Sequence, residues 1–414
     1  MNRRRPPRRT RLVALAAATA LGLSACGSAD EPADPVDAAD WDAVLAEADG
    51  QSVNWHMFGG DDVLNTFVAD EVAPRLAELG VTLNQVRIAD TADAVARVLG
   101  EQQAGRTSGG AVDAIWINGE NFATGVQADL WSCGWAGDLP NAQFVDAGDP
   151  AITTDFGVPV DGCESPWQQA SSALVYDADD LGPADVESVD SLLAWVEANP
   201  GRFAYPAPPD FTGSMVVRTL LYGQIGGPDD LAGAFDEDAY AAATDDFWDR
   251  LNDLEPSLWR GGDSYPNRQE DVENLFASGE ISAYFTYGPG AVGARVADGI
   301  FPASTRQAAP VPGNIGNVSF VTIPANAANR AAALVLADVL LDPEVQLALY
   351  RANGTYPAID LDRLPADLRA EFDAVETGRS TLDLDELTAG LLPELAAGYL
   401  TRIESDWTAL VQQQ

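Results

Sequence analysis

Lysine is absent from the 414 residues, histidine occurs once, at His56, and cysteine only three times. Each scarcity closes off a chemistry. A zinc hydrolase needs several histidine or cysteine ligands, which one histidine cannot supply. A serine hydrolase of the usual kind would need His56 as its base and a G-x-S-x-G turn, and the chain has no such turn. His56 sits in an apolar stretch and reads as a satisfied core residue. No glycine loop of the Walker type is present. All 23 basic residues are therefore arginine, against 64 acidic residues and a net charge of −41. Nucleic acid and anionic membrane are poor partners for so acidic a chain. The same abundance of acids makes any pair of carboxylates uninformative as a sign of a glycosidase. No short-period repeat occurs, which argues against solenoids and propellers.

What is present begins at the amino end. Six arginines (Arg3, Arg4, Arg5, Arg8, Arg9, Arg11) without an acid precede an apolar run from Leu12 to Leu23, followed by Leu23-Ser24-Ala25-Cys26. The charged, apolar and small-residue order is that of a secretory signal, and the run is short for a bilayer span. Leu-Ser-Ala-Cys resembles the bacterial lipobox, so residues 1–25 are expected to be a signal peptide and Cys26 the lipidated first residue of a chain tethered outside the membrane. The acidic, proline-interrupted sequence after it reads as a flexible tether, over residues 26–47, with folding beginning near Trp41. Cys133 and Cys163 then remain as a pair in an oxidising compartment, and a disulfide is the economical reading. About 370 residues remain, more than one core usually holds, so two lobes are expected.

Apolar spacing predicts alternating strands and helices: strand 52–58, a helix from Asp61 to Leu79, strand 81–88, helix 91–105 and strand 112–117. That alternation argues for a parallel sheet with crossover helices. A second series follows: strand 172–177, helix 188–199, strand 202–206, a helix from Gly213 to about Ile225, a long helix from about Asp238 to Leu251, helix 269–279 and strand 281–287. Strand 317–324 and helices 328–341 and 343–353 read as a return to the first lobe.

The segments "ALVYD", "FVTIPANAANRAAALVLADVLLDPEVQ" and "YRANGTYPA", with the lipobox and tether, resemble the extracellular solute-binding proteins of ABC importers across nearly the whole mature chain. "VDAIWINGENF", "PGRFAYPAPPDFTGSMVVRTLL" and "GEISAYFTYGPG" are similar to a Ynj-type branch of that family, itself related to thiamine- and iron-type binders. Met215-Val216 departs from the Ala-Phe usual in the branch. The resemblance implies an α/β, two-lobed periplasmic-binding-protein-like fold of type 2, each lobe a mainly parallel sheet flanked by helices and joined by hinge strands. Lobe 1 would comprise 48–173 plus 316–354, and lobe 2 would comprise 174–315 plus 355–414. It implies a monomer without cofactor or metal that hands a small solute to a membrane permease served by a separate ATPase subunit. The alternative of another class is a membrane-tethered extracellular hydrolase such as a glycosidase.

Ligands of open α/β sheets bind beyond the carboxyl ends of the strands. Four groups of residues are expected there. Gly59, Gly60 and Asp61 offer close backbone approach and helix-start amides, or simply a tight turn with an N-cap. Asn118, Glu120 and Asn121, around Gly119, end a strand in donors and acceptors where an ordinary turn would suffice. Asp210, Thr212, Gly213 and Ser214 open a helix, with Thr212 as N-cap and the next amides free for an anion. Among Trp55, Tyr205, Trp259, Tyr265, Tyr284 and Tyr287, the loop residue Trp259 and the strand-end residue Tyr287 are the strongest contacts. Acids beside aromatic faces suit a cation, whereas free amides with Arg218 or Arg260 suit an anion. The balance favours a cationic or zwitterionic, thiamine-like organic solute.

Overall fold

The structure, a computed structural model, describes residues 36–375, 380–382, 386 and 390–412. The expected signal peptide, Cys26 and most of the expected tether lie outside these residues. The tether ends earlier than residue 47: Trp41–Ala48 is a helix capped by Asp40, and Val44 and Ala48 sink into the core. Apolar residues at this spacing bury one face of a helix and so order the segment.

Strands β1 (Ser52–Phe58), β2 (Thr82–Ile88) and β3 (Ala114–Ile117) run parallel, with β1 between the other two. Their carboxyl ends, Phe58, Ile88 and Ile117, therefore share one edge. The helix expected over 61–79 is present but has a π-helical turn at Val68–Val72. A hairpin of β4 (Thr154–Asp155) and β5 (Val158–Pro159) precedes the long strand β6 (Glu164–Ser171). The chain leaves this lobe through β6 into β7 (Ala173–Asp177) and returns through β10 (Asn314–Thr322). β10 pairs antiparallel with both β3 and β6, and Ser172 exchanges hydrogen bonds with Ile315 where the two crossing strands meet.

The smaller sheet differs from the expected parallel arrangement. β7 pairs antiparallel with both β8 (Ala283–Thr286) and β9 (Thr305–Ala308). Residues 202–206 form no strand, only a parallel bridge from Phe203 to Ala283. The long helix expected from Asp238 is two, Glu237–Ala243 and Phe247–Leu254. A short strand β11 (Leu391–Leu392) pairs with the start of β10.

The cores redraw the lobe limits at the carboxyl end. Tyr356, Ile359, Leu364 and Phe372 pack with the larger lobe, whereas Leu395, Tyr399, Ile403 and Trp407 pack with the smaller. The change of lobe thus falls after Phe372, later than residue 354. A helix pattern reveals a buried face without revealing which core receives it.

Candidate functional site

Two backbone turns leave the shared strand edge. At the first, Gly59 N donates to Ile88 O, Asn65 Nδ2 donates to Gly59 O, and Asp61 caps the helix Asp62–Phe67 by accepting from Leu64 N. These groups, with exposed Gly60, serve the turn. At the second, Gly119 adopts φ 61°, a conformation open to glycine at little cost. Its amide donates to both carboxylate oxygens of Asp155, each at 2.8 Å. Asn118 Nδ2 reaches Asn317 Oδ1 on β10 at 3.3 Å. Glu120 is exposed and begins the helix Glu120–Gln127, with Asn121 beside it. Burial raises the Asp155 pKa to about 7; the Gly119 amide works against that rise and Glu394 adds to it.

The opposing wall comes from the smaller lobe. Helix Phe211–Ile225 is capped by Asp210, whose carboxylate accepts from Gly213 N at 2.9 Å. Thr212 is a buried residue of the first turn rather than the cap. The amides expected to be free are used: Gly213 N by the Asp210 side chain and Ser214 N by Asp210 O. Glycine at 213 answers a packing demand, since a Cβ there would lie 2.2 Å from Pro206 O. No anion is needed to explain it.

One turn further, Arg218 is completely buried and forms a two-pronged pair with Glu394, Nε to Oε2 at 2.9 Å and Nη2 to Oε1 at 3.0 Å. Burial alone would lower the Arg218 pKa, but Glu394 overrides it and the guanidinium stays charged. Arg218 Nη1 also donates to Ser214 Oγ at 2.7 Å, and Ser214 Oγ donates to Glu404 Oε1 at 2.7 Å. The Tyr287 hydroxyl hydrogen-bonds Glu394 and receives Arg218 Nη2 at 3.4 Å. Burial raises the Glu404 pKa; Ser214 and Arg218 oppose the rise, and Glu120, from the opposite lobe, adds to it. The two walls therefore face each other closely enough for their charges to interact.

Phe211 stands 47% exposed, with its ring 5.0 Å from that of Tyr287.

Trp259 lies elsewhere. Its backbone amide donates to Phe203 O and its indole to Glu280 Oε2 at 3.1 Å, which places it at the amino end of β8, whereas Tyr287 follows the carboxyl end. It packs against the core around Phe276, and Arg260 covers its ring at 4.2 Å. Arg260 is thus on the wrong side for a cleft anion, and Arg218 is already paired. Trp55, Tyr205 and Tyr284 are core residues, and Tyr265 packs beside Tyr205 and Trp407. His56 is buried as expected, though its Nδ1 has no partner. Cys133 and Cys163 form a disulfide immediately before Glu164. Asp155, Glu394, Glu404 and Phe211 were not foreseen. Among the described residues no group of three or more His, Cys, Asp or Glu is placed to hold a metal ion.

A two-lobed α/β frame joined by adjacent crossing strands, with polar loops of both lobes meeting between them, defines a solute-binding architecture. Residues 72–364 match the family of bacterial extracellular solute-binding proteins, and the chain belongs to it. The protein YnjB of Escherichia coli is 37% identical over 372 residues, covering 89% of this chain and 93% of YnjB. Among solved structures, an ABC transporter protein from Clostridium perfringens aligns with a TM-score of 0.60 at 15% identity, over 87% of this chain and 99% of its own. The periplasmic binding protein AfuA of Actinobacillus pleuropneumoniae, with fructose-6-phosphate bound, aligns with a TM-score of 0.58 at 12% identity, over 88% and 99%. These neighbours share the fold, a type 2 periplasmic-binding-protein arrangement. The family is that of extracellular solute-binding proteins, and the solved relatives include a component of an ABC transporter and a periplasmic binding protein.

Proposed function

We propose that the chain captures a small cationic or zwitterionic organic solute, with a thiamine-like compound as one candidate, and holds it between the lobes without turnover. The observation that carries this reading is the exposed Phe211 ring lying against Tyr287 beside Glu394 and Glu404. An aromatic face attracts a cation by its quadrupole, and desolvated carboxylates strengthen that attraction. Arg218 pairs directly with Glu394 and reaches Glu404 only through Ser214, so the wall keeps more carboxylate than guanidinium charge, an excess that a cationic solute would offset. AfuA holds a sugar phosphate, so the fold itself does not choose the sign of the charge. A solute touching both walls would favour the closed lobes by its differential affinity, and the closed form would be what a permease with its ATPase subunit engages.

The chain would act as a monomer, anchored through a lipidated Cys26 on the outer side of the cell membrane. No described helix is long and apolar enough to cross a membrane. A thermal-shift screen against choline, putrescine, arginine, thiamine, glucose and glucose 6-phosphate tests the charge. Stabilisation by cationic or zwitterionic members, weakened about tenfold in Glu120→Gln as for loss of one charge-assisted contact, is the expected result. A response confined to the sugar or sugar phosphate overturns it, and product formation from a binder overturns the non-enzymatic reading.

A further inference from the structure

The hairpin of β4 and β5 turns through Phe156 and Gly157, both at positive φ, 45° and 78°. Two-residue hairpin turns of this kind favour Asn-Gly or Asp-Gly, and a bulky side chain at positive φ is a genuine outlier. Strain of this sort persists only where the surroundings hold it, and it collects at functional sites. Here the Phe156 ring is buried against Gly119, 3.4 Å from where a Cβ on that glycine would stand. On the other side of the turn, a Cβ on Gly157 would lie 3.0 Å from the Cβ of Ala396. Ala396 immediately precedes the helix Ala397–Trp407, which carries Glu404, and follows Glu394 by two residues. The hairpin thus touches the solute-facing elements of both lobes.

We propose that Asp155 is a positioning residue for solute binding: its carboxylate grips the Gly119 amide, fixes the loop Asn118-Gly119-Glu120-Asn121, and does so from a hairpin docked on the opposite lobe at Ala396. The proposal rests on the reading that this loop faces the solute. Asp155 is buried, and among the described residues the Gly119 amide is the donor to its carboxylate. Of its titratable neighbours, Glu394 opposes ionisation. Glu164 on β6 is wholly buried with neither carboxyl oxygen hydrogen-bonded, and burial together with Asp155 keeps its pKa well above the ordinary range. Glu394, after β11, is engaged by Arg218 and Tyr287. Glu120 lies one residue beyond the gripped amide.

An ionised carboxylate accepts the amide more strongly than a carboxylic acid does, so the grip tightens as pH rises through about 7. A loop competent only when Asp155 is ionised gives an apparent affinity proportional to the ionised fraction, a fall of about tenfold between pH 8 and pH 6.

Two measurements on the full-length chain decide the matter. The Gly119 amide proton, followed by NMR, is expected to titrate with its midpoint near pH 7 and to stop titrating in Asp155→Asn. A Gly119 shift that stays flat in the unaltered protein overturns the proposal, whether or not the variant folds. For whichever of choline, putrescine or arginine binds, affinity is expected to fall about tenfold from pH 8 to pH 6, and Asp155→Asn to hold the weaker value throughout. A pH-independent affinity in the unaltered protein, or a variant that binds as tightly as it does, overturns the positioning role. Binding by none of the three and not by thiamine overturns the cationic reading instead, and the Gly119 titration then decides the role of Asp155 by itself.

Discussion

On the small-lobe side of the cleft, Arg218, Glu394, Tyr287, Ser214 and Glu404 form a closed network of side chains around one buried arginine. On the large-lobe side, the loop from Asn118 to Asn121 has its own helix-start bonds from Ala123 N and Thr124 Oγ1, and it is tied to other elements by the Gly119 amide on Asp155 and a weaker bond from Asn118 to Asn317. The first wall is preorganised by charge pairing in a desolvated place, where removing a partner leaves an uncompensated ion. The second depends on a contact that one proton can weaken.

The comparison can be broken most forcefully at Arg218. Arg218→Met removes the counter-charge of Glu394 while filling the space, and should destabilise the protein by about 3–5 kcal/mol in denaturant unfolding. A change below about 1 kcal/mol would show that the network is not the rigid wall described.

On the other side, the disulfide ties Cys133 to Cys163 across 30 residues that include the hairpin. Its removal in the Cys133→Ser, Cys163→Ser double variant should lower stability by about 3–4 kcal/mol, mainly through the unfolded chain, with solute binding retained in the folded fraction. An unchanged melting temperature would remove the disulfide from the account.

Strand and helix positions were largely legible in the sequence because period-2 and period-3.6 burial leaves a local record. The edge carrying Gly59 and the loop around Glu120 followed from strand order alone. The partners of those loops were not legible. Arg218 sits in a helix buried on all sides and meets Glu394, which lies 176 positions away. Asp155 sits in a hairpin that no apolar period marks, 36 positions from the amide it grips. The one available signal was Phe156 where a turn would favour Asn. Threonine suits a helix cap, but Asp210 two residues before Thr212 supplies the carboxylate that reaches Gly213. Gly213 suggested anion binding because glycine weakens a helix, whereas the close carbonyl of Pro206 requires it.

Trp259 and Tyr287 looked alike as loop and strand-end aromatics, yet β8 separates them, and only Tyr287 carries an exposed aromatic neighbour, Phe211. Affinity for the responding cation, measured by calorimetry in Phe211→Ala and in Trp259→Ala, tests the central claim most directly. The account predicts about a tenfold loss for Phe211→Ala, in the range of one cation–π contact, and no change for Trp259→Ala. Loss in Trp259→Ala with full affinity in Phe211→Ala would contradict it.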